Sequence, residues 1–163
     1  MIAIDKKPLS VGNYVSTEHV DTVIKSYKKE RWVHNSERIG KEDSLSGWWS
    51  IEEMEDYLEQ AKMHGADGVK LYFGAYPSDY VEEPLYAGRQ TLVMVATRQK
   101  ECADGAIANK DIYVNRNNKP ALIAYNRIQL CPPSCKKDTS LDIESPEIGV
   151  TIVDRGAGGF VVI

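Results

Sequence analysis

The sequence predicts an α+β fold in which two N-terminal helices pack on a mostly antiparallel β-sheet. Three observations predict it: helix-period apolar spacing confined to the first third of the chain, a change to strand-like patterning after Gly65, and turn residues at short intervals through the rest. With 163 residues, 42% hydrophobic and 27% charged, the chain is large enough to close over one interior. Residues 1–163 are therefore read as a single globular domain.

The first helix is predicted from Thr17 to Arg31, where Val20, Val23, Ile24 and Tyr27 recur at offsets of one helical face. Ser16 or Thr17 supplies the N-terminal cap, and Lys25, Lys28, Lys29 and Arg31 cluster towards the end that the helix dipole makes favourable for cations. Trp32 is expected to begin the exit, and the polar, aperiodic stretch Val33 to Gly47 reads as a long surface connection. A second helix follows Ser50. Ser50-Ile51-Glu52-Glu53 matches a capping box, Trp49 and Met54 match a hydrophobic staple, and Gly65 marks the C-terminal stop, with His64 as a cap. Ile51, Met54, Leu58 and Ala61 are expected to form its buried stripe, with Tyr57 at the edge.

Past Gly65 the period becomes two. Val69 to Phe73 alternates as a strand, and Thr91 to Thr97 is almost continuously apolar and β-branched, as a central strand covered on both faces requires. The segment between them, Gly74 to Gln90, contains Pro77 and Pro84, which disfavours a crossover helix. An antiparallel pair joined by a long loop is predicted. Shorter strands are expected at Asp111 to Asn115, Ala121 to Tyr125, Ile148 to Val153 and Phe160 to Ile163. Bends fall at Asn117-Asn118-Lys119-Pro120 and at Arg155 to Gly159, and the apolar C-terminal strand is placed inside the sheet.

Charge and composition remove several functions. A net charge of −4 lacks the clustered cationic excess that phosphate neutralisation needs, so no nucleic-acid partner is expected. No apolar run approaches a membrane span, so no membrane partner is expected either. The segment Met1-Ile2-Ala3-Ile4-Asp5-Lys6-Lys7-Pro8 lacks the pattern of a secretory signal. With three cysteines, this reads as a cytoplasmic protein with reduced thiols. Cys131-Pro132-Pro133-Ser134-Cys135 leaves the pairing open. A polyproline geometry at roughly 3.1 Å per residue puts the two Cα atoms about 12 Å apart, beyond the ~6.8 Å limit of a disulfide, whereas a turn at Pro133-Ser134 closes that gap.

Catalytic and cofactor motifs fail on their physical requirements. Gly156-Ala157-Gly158-Gly159 is not followed by the helix whose amides would hold a phosphate. No Gly-x-Ser-x-Gly elbow occurs, and His19, His34, His64 and Cys102 lack the spacing of a metal site. Neither a metal nor a cofactor is expected. One constellation remains, in the loop between the two central strands: Tyr72, Tyr76, Tyr80, Tyr86 and Arg89, interleaved with Asp79, Glu82 and Glu83. Tyr and Arg are the side chains most enriched where surfaces recognise partners, and a guanidinium fork suits a carboxylate or phosphate. The competing reading has Arg89 paired with an acidic neighbour and the tyrosines covering the sheet edge.

At Trp48-Trp49-Ser50, Gly65-Ala66-Asp67-Gly68, Tyr72-Phe73-Gly74-Ala75-Tyr76, Tyr86-Ala87-Gly88-Arg89-Gln90-Thr91 and Leu130-Cys131-Pro132-Pro133-Ser134-Cys135, the chain resembles a group of short uncharacterised bacterial proteins. The likeness spans about residues 48–135. It implies a bacterial origin and brings no activity or ligand with it. The functional expectation is a small non-catalytic binding or interaction module using the Tyr72 to Arg89 region, its partner an unknown protein or a small anionic ligand. The alternative is an enzyme acting on a small anionic substrate anchored by Arg89.

Overall fold

A computed structural model describes residues 10–135, 152–154 and 160–162, the last two stretches by their backbone pairing. The architecture is α+β. A helical run opens it: α1 (Thr17–Tyr27), a π turn (Lys28–Trp32) and α2 (Val33–Ile39). After a short strand β1 (Ser46–Trp48) comes α3 (Ile51–Met63). The rest is strand: β2 (Gly68–Ala75), β3 (Gln90–Glu101), β4 (Ile107–Asp111), β5 (Tyr113–Arg116), β6 (Lys119–Leu122), β7 (Ala124–Tyr125), β8 (Gln129–Cys131), β9 (Ile152–Asp154) and β10 (Phe160–Val162).

Every strand pairing among the described residues is antiparallel. The main sheet runs β2-β3-β4, with β7 pairing on Met94 and Val95 of β3. The long β2–β3 pair is the antiparallel couple that the apolar patterning predicts, in register from Gly68↔Thr97 to Ala75↔Gln90. Residues Met94 to Thr97 are all buried, so the centre of β3 is covered on both faces, as its unbroken apolar run requires. β5 and β6 form the hairpin expected at Asn117-Asn118, both of which take positive φ (52° and 60°), as a tight hairpin turn demands.

Four expectations are corrected. The segment after Trp32 is not a surface connection but helix as far as Ile39. In the π turn, Val33 N–H bonds Lys28 C=O. This wider turn adds a residue to the local hydrogen-bond repeat without ending the helix. Asp21, Ile24, Lys28, Trp32, Asn35 and Ile39 are half-buried along the run, one continuous face that mixes polar with apolar residues, which is why apolar spacing alone does not reveal it. Gly40, at φ 70°, ends the run in a left-handed turn, with Lys41 N donating to Ser36 O at 3.2 Å.

The buried stripe of α3 is also different. Ile51 (76% exposed), Met54 and Leu58 face outwards, while Tyr57 and Ala61 are buried against Met94, Ala96 and Ile123. Polar contacts orient the helix: the Ser50–Glu53 capping box forms as predicted, Tyr125 Oη donates to Glu53 at 3.2 Å, and Tyr57 Oη donates to Ile123 O at 3.1 Å. Trp49 packs against this cluster, its ring 6.3 Å from that of Tyr125. The helix ends at Gly65 (φ 81°) as expected, with Ala66 N bonding Ala61 O.

Third, Cys131 and Cys135 are joined in a disulfide, their Cα atoms 5.0 Å apart. The polyproline spacing that favoured reduced thiols does not form, because residues 132–134 turn and Ser134 N donates to Leu130 O at 2.8 Å. Fourth, Phe160–Val162 pairs with Ile152–Asp154 in a separate two-stranded sheet rather than within the main one. The expected turn at 155–159, Ile148 to Thr151, Ile163 and the N-terminal residues 1–9 lie outside the described residues.

Both helical segments lie on the same face of the main sheet. Residues opposite each other on antiparallel strands point to the same side, so Val69, Leu71 and Phe73 of β2 share a face with Ala96, Met94 and Leu92 of β3. α3 covers Met94 and Ala96. α1 faces Leu92 and Phe73 across an apolar cleft of about 320 Å³ lined also by Val23, Ile24, Tyr27, Leu45 and Leu130. Among the described residues no helix is long and apolar enough to cross a membrane.

Candidate functional site

The β2–β3 pair delivers the long loop of residues 76–89, and the backbone of that loop is closed at its base. Tyr76 N donates to Arg89 O at 2.9 Å and Gly88 N to Pro77 O at 3.1 Å, while a 3-10 turn (Pro84–Tyr86) folds the far side back. Three of the four singled-out tyrosines meet here. Tyr76 stacks on Tyr80 with ring centroids 4.5 Å apart and lies 5.8 Å from Tyr86. Their hydroxyls are engaged inside the protein: Tyr76 Oη donates to Asn126 at 2.8 Å, Tyr80 Oη to Glu82 at 3.4 Å, and Tyr86 Oη accepts from Leu130 N at 3.2 Å. Burial, then the Glu82 charge, raises the Tyr80 pKa. The rings therefore form a fixed wall rather than a set of free donors.

Tyr72 stands apart from this cluster. On β2 its hydroxyl donates to Asp111 at 2.8 Å, and Lys70 pairs with the same carboxylate at 2.8 Å. Those two hydrogen bonds, the Lys70 one first, hold the Asp111 carboxyl below its usual range. Arg89 is also removed from the surface. It is 7% exposed, its Nε donates to Leu85 O at 2.8 Å, and one terminal nitrogen has no hydrogen-bond partner among the described residues. Burial lowers its pKa, against the opposing charges of Asp43 and Glu42. Asp43, itself buried, is the hub below the loop, accepting from Ser44 N at 2.8 Å and from Gln90 N at 2.7 Å.

The helical run supplies a second wall facing the tyrosine loop. Its C-terminal end carries Arg38, Ile39 and, one residue beyond Gly40, Lys41. These enclose, with Ala75, Tyr76, Ser78, Ala87 and Gly88, a cleft of about 470 Å³. Gly88 matters here because its φ is 73° and an added Cβ would stand 3.7 Å from the Ile39 side chain, so loop and helix end meet closely. Among the described residues neither Arg38 nor Lys41 makes an ion pair. No Asp, Glu, His or Cys is among the residues lining the cleft.

No family model, curated protein or solved structure matches the chain. The site therefore stands on its own geometry. Sequence reasoning selected one wall, through Tyr76, and missed the other. Arg38 and Lys41 lay in the stretch read as a connection. The signal that finds them is the Arg38-Ile39-Gly40-Lys41 sequence itself: a glycine stop with a basic residue on either side is how a helix end presents cations.

Proposed function

We propose that the chain is a non-catalytic binding module for a small anionic ligand, held between the Arg38 and Lys41 side chains and the Tyr76–Ser78 wall of the cleft. One observation carries the reading: two cations with no ion-pair partner among the described residues face a cleft whose described lining contains no carboxylate, in a chain whose net charge is −4. The roughly half negative charge at a helix C-terminus reduces the potential of two full cations without cancelling it, and a concave site concentrates what remains. The Ser78 hydroxyl adds a donor and acceptor, and the Tyr76 ring gives a planar ligand a face to rest on.

The lining supports binding over catalysis, since it offers no general base or activated nucleophile. An enzyme anchored by Arg89 has weaker support, because that guanidinium is buried and one of its donors is taken by Leu85 O. In this reading Arg89 braces the loop from beneath.

Titration of the full chain with inorganic phosphate and with small mono- and dicarboxylates at low salt, followed by NMR shifts, tests the proposal. At least one anion should move the resonances of Lys41, Tyr76 and Gly88 saturably. Arg38→Ala and Lys41→Ala should each weaken it about tenfold, as expected for loss of one charge-assisted contact. Binding that survives the double variant, or that moves resonances elsewhere only, removes the cleft as the site.

A further inference from the structure

The outer edge of β2 is open. β2 is the terminal strand of the main sheet, and among the described residues nothing bonds its free side. Natural edge strands are guarded by prolines, bulges or exposed charges. β2 carries no proline and, in continuous register with β3, no bulge across Gly68-Val69-Lys70-Leu71-Tyr72-Phe73-Gly74-Ala75, and its one charge, Lys70, is half-exposed and paired with Asp111. Its apolar side chains are left in water, with Phe73 82% and Leu71 55% exposed.

The pairing with β3 fixes which backbone groups face outwards. Tyr76 N bonds Arg89 O, while Ala96 turns its own groups away from β2, donating to Ile123 O and accepting from Ile112 N. Combined with the β2–β3 register, this directs the even-numbered residues of β2 towards β3 and leaves the N–H and C=O of Val69, Leu71, Phe73 and Ala75 on the open edge.

We propose that β2 pairs with β2 of a second copy of this chain, antiparallel about a two-fold axis through Tyr72, to make one continuous sheet across a homodimer. The sequence pattern selects that centre. About Tyr72, Leu71 lies opposite the partner's Phe73 and Val69 opposite the partner's Ala75, so all four edge-facing residues are matched among themselves by about eight backbone hydrogen bonds. Centring on Leu71 would set Ala75 against the partner's Asp67, past the end of the strand, and centring on Phe73 would set Val69 against the partner's Pro77, which has no N–H. About Tyr72 the apolar side chains also fall on the helix-bearing face of both copies, Lys70 lies opposite the partner's Gly74, and no two like charges are opposed. Covering the edge and the exposed parts of Leu71, Tyr72 and Phe73 in both copies buries on the order of 1,000 Å², the lower bound for a specific interface and the mark of a dimer that dissociates readily. The edge adjoins the anion cleft at Ala75, which lines both, but the pairing follows from strand register and does not rest on the cleft.

Analytical ultracentrifugation of the full chain from micromolar to millimolar concentration tests association, and a cross-link tests the register. The wild-type chain should shift from monomer to dimer, and Leu71→Lys with Phe73→Lys should weaken the dimer at least tenfold while circular dichroism stays unchanged. With Cys102→Ser in the background, Tyr72→Cys should oxidise to a disulfide-linked dimer, because directly opposed residues bring their Cα atoms within disulfide range, whereas Leu71→Cys should not. A chain that stays monomeric throughout overturns the proposal, as does a dimer indifferent to the lysines or one that Tyr72→Cys fails to link. Slow hydrogen exchange at Leu71 and Phe73 in a monomer also overturns it, by assigning the edge to a segment of the same chain.

Discussion

The helix at Ile51–Met63 and the helical run from Thr17 to Ile39 lie on the same face of the sheet, yet they are held by opposite means. α3 places Tyr57 and Ala61 in the core and is fixed at both ends, by a capping box and by Gly65. The longer run has no buried residue along its length. It is attached by polar contacts: Tyr27 Oη to Gln90 at 2.6 Å, Trp32 Nε1 to Asp43 O at 2.8 Å, and Ser36 Oγ accepting from Asp43 N at 2.9 Å. Burial of apolar area contributes more to folding than such contacts do. The shorter helix therefore stabilises the domain, while the longer one frames the two clefts. A helix that bounds the proposed anion cleft gains from attachments that can open locally without unfolding the sheet.

The largest expected effect lies on the core side of that contrast. Tyr57→Ala removes a buried ring and should cost about 3–5 kcal/mol, read as a lower urea midpoint with an unchanged slope. Tyr57→Phe should cost only about 1 kcal/mol, because Ile123 O keeps its bond from Ala96 N after the phenol is gone. A small effect of Tyr57→Ala would mean that α3 is not the stabilising element.

On the other side, Asp43→Ala should cost about 2–4 kcal/mol, since Ser44 N and Gln90 N both lose their acceptor in a buried place. Its distinctive result is local. Amides of residues 17–39 should exchange by a low-energy opening already in the wild-type chain, faster still in Asp43→Ala, while those of α3 exchange only with global unfolding. Equal protection of the two helices would erase the distinction between them.

The same contrast explains what was legible in the sequence. α3 announces itself through local chemistry, Ser50 with Glu53 at one end and Gly65 at the other, and local chemistry survives in sequence. The β2–β3 pair was legible because its side-chain period is unaffected by partners. Gly40 ends its helix by the same bonding as Gly65, but the stretch before it, His34 to Arg38, is polar, so the glycine stood after a segment that did not scan as helix by apolar spacing. Which face of α3 goes inwards was hidden for another reason. Ile51, Met54 and Leu58 are the more apolar choice, and only the distant partners Ile123 and Tyr125 turn Tyr57 to the core. The cleft was half legible: Tyr76 was visible as part of a tyrosine-rich loop, whereas Arg38 and Lys41 acquire meaning only once the helix end is brought against Gly88. The Cys131–Cys135 pairing likewise depends on a turn held from afar, by Ser44 Oγ donating to Pro132 O at 3.0 Å.

The smallest predicted effect is a pH dependence, and it separates the supports of the sheet from those of the long helix. Two carboxyls have folded-state pKa values below their ordinary ones. For Glu53 the leading cause is the hydrogen bond from Ser50 N; for Asp111 it is the bond from Lys70, followed by that from Tyr72. A depressed folded pKa means that the unfolded chain takes up its proton first on acidification. Both groups thus contribute stability that is complete above the normal carboxylate range and is lost as pH falls through the lower, folded values. Lys70 has the opposite sign: its pKa is raised, first by the Asp111 hydrogen bond, so its contribution is present below the normal lysine range and is lost as pH rises through the folded value. These groups are half-buried near the surface, so partial solvent screening keeps each contribution modest. Urea midpoints measured from neutral pH down to about pH 3 should fall for the wild-type chain and fall less steeply for Asp111→Asn and for Glu53→Gln. Ser50→Ala should lower the stability at neutral pH by about 1 kcal/mol and flatten the same acid limb, because it removes the cap as well as the hydroxyl that Glu53 holds. If none of the three variants flattens that limb, acid sensitivity originates outside α3 and β2, and the helical run attached through Asp43 becomes the place to look.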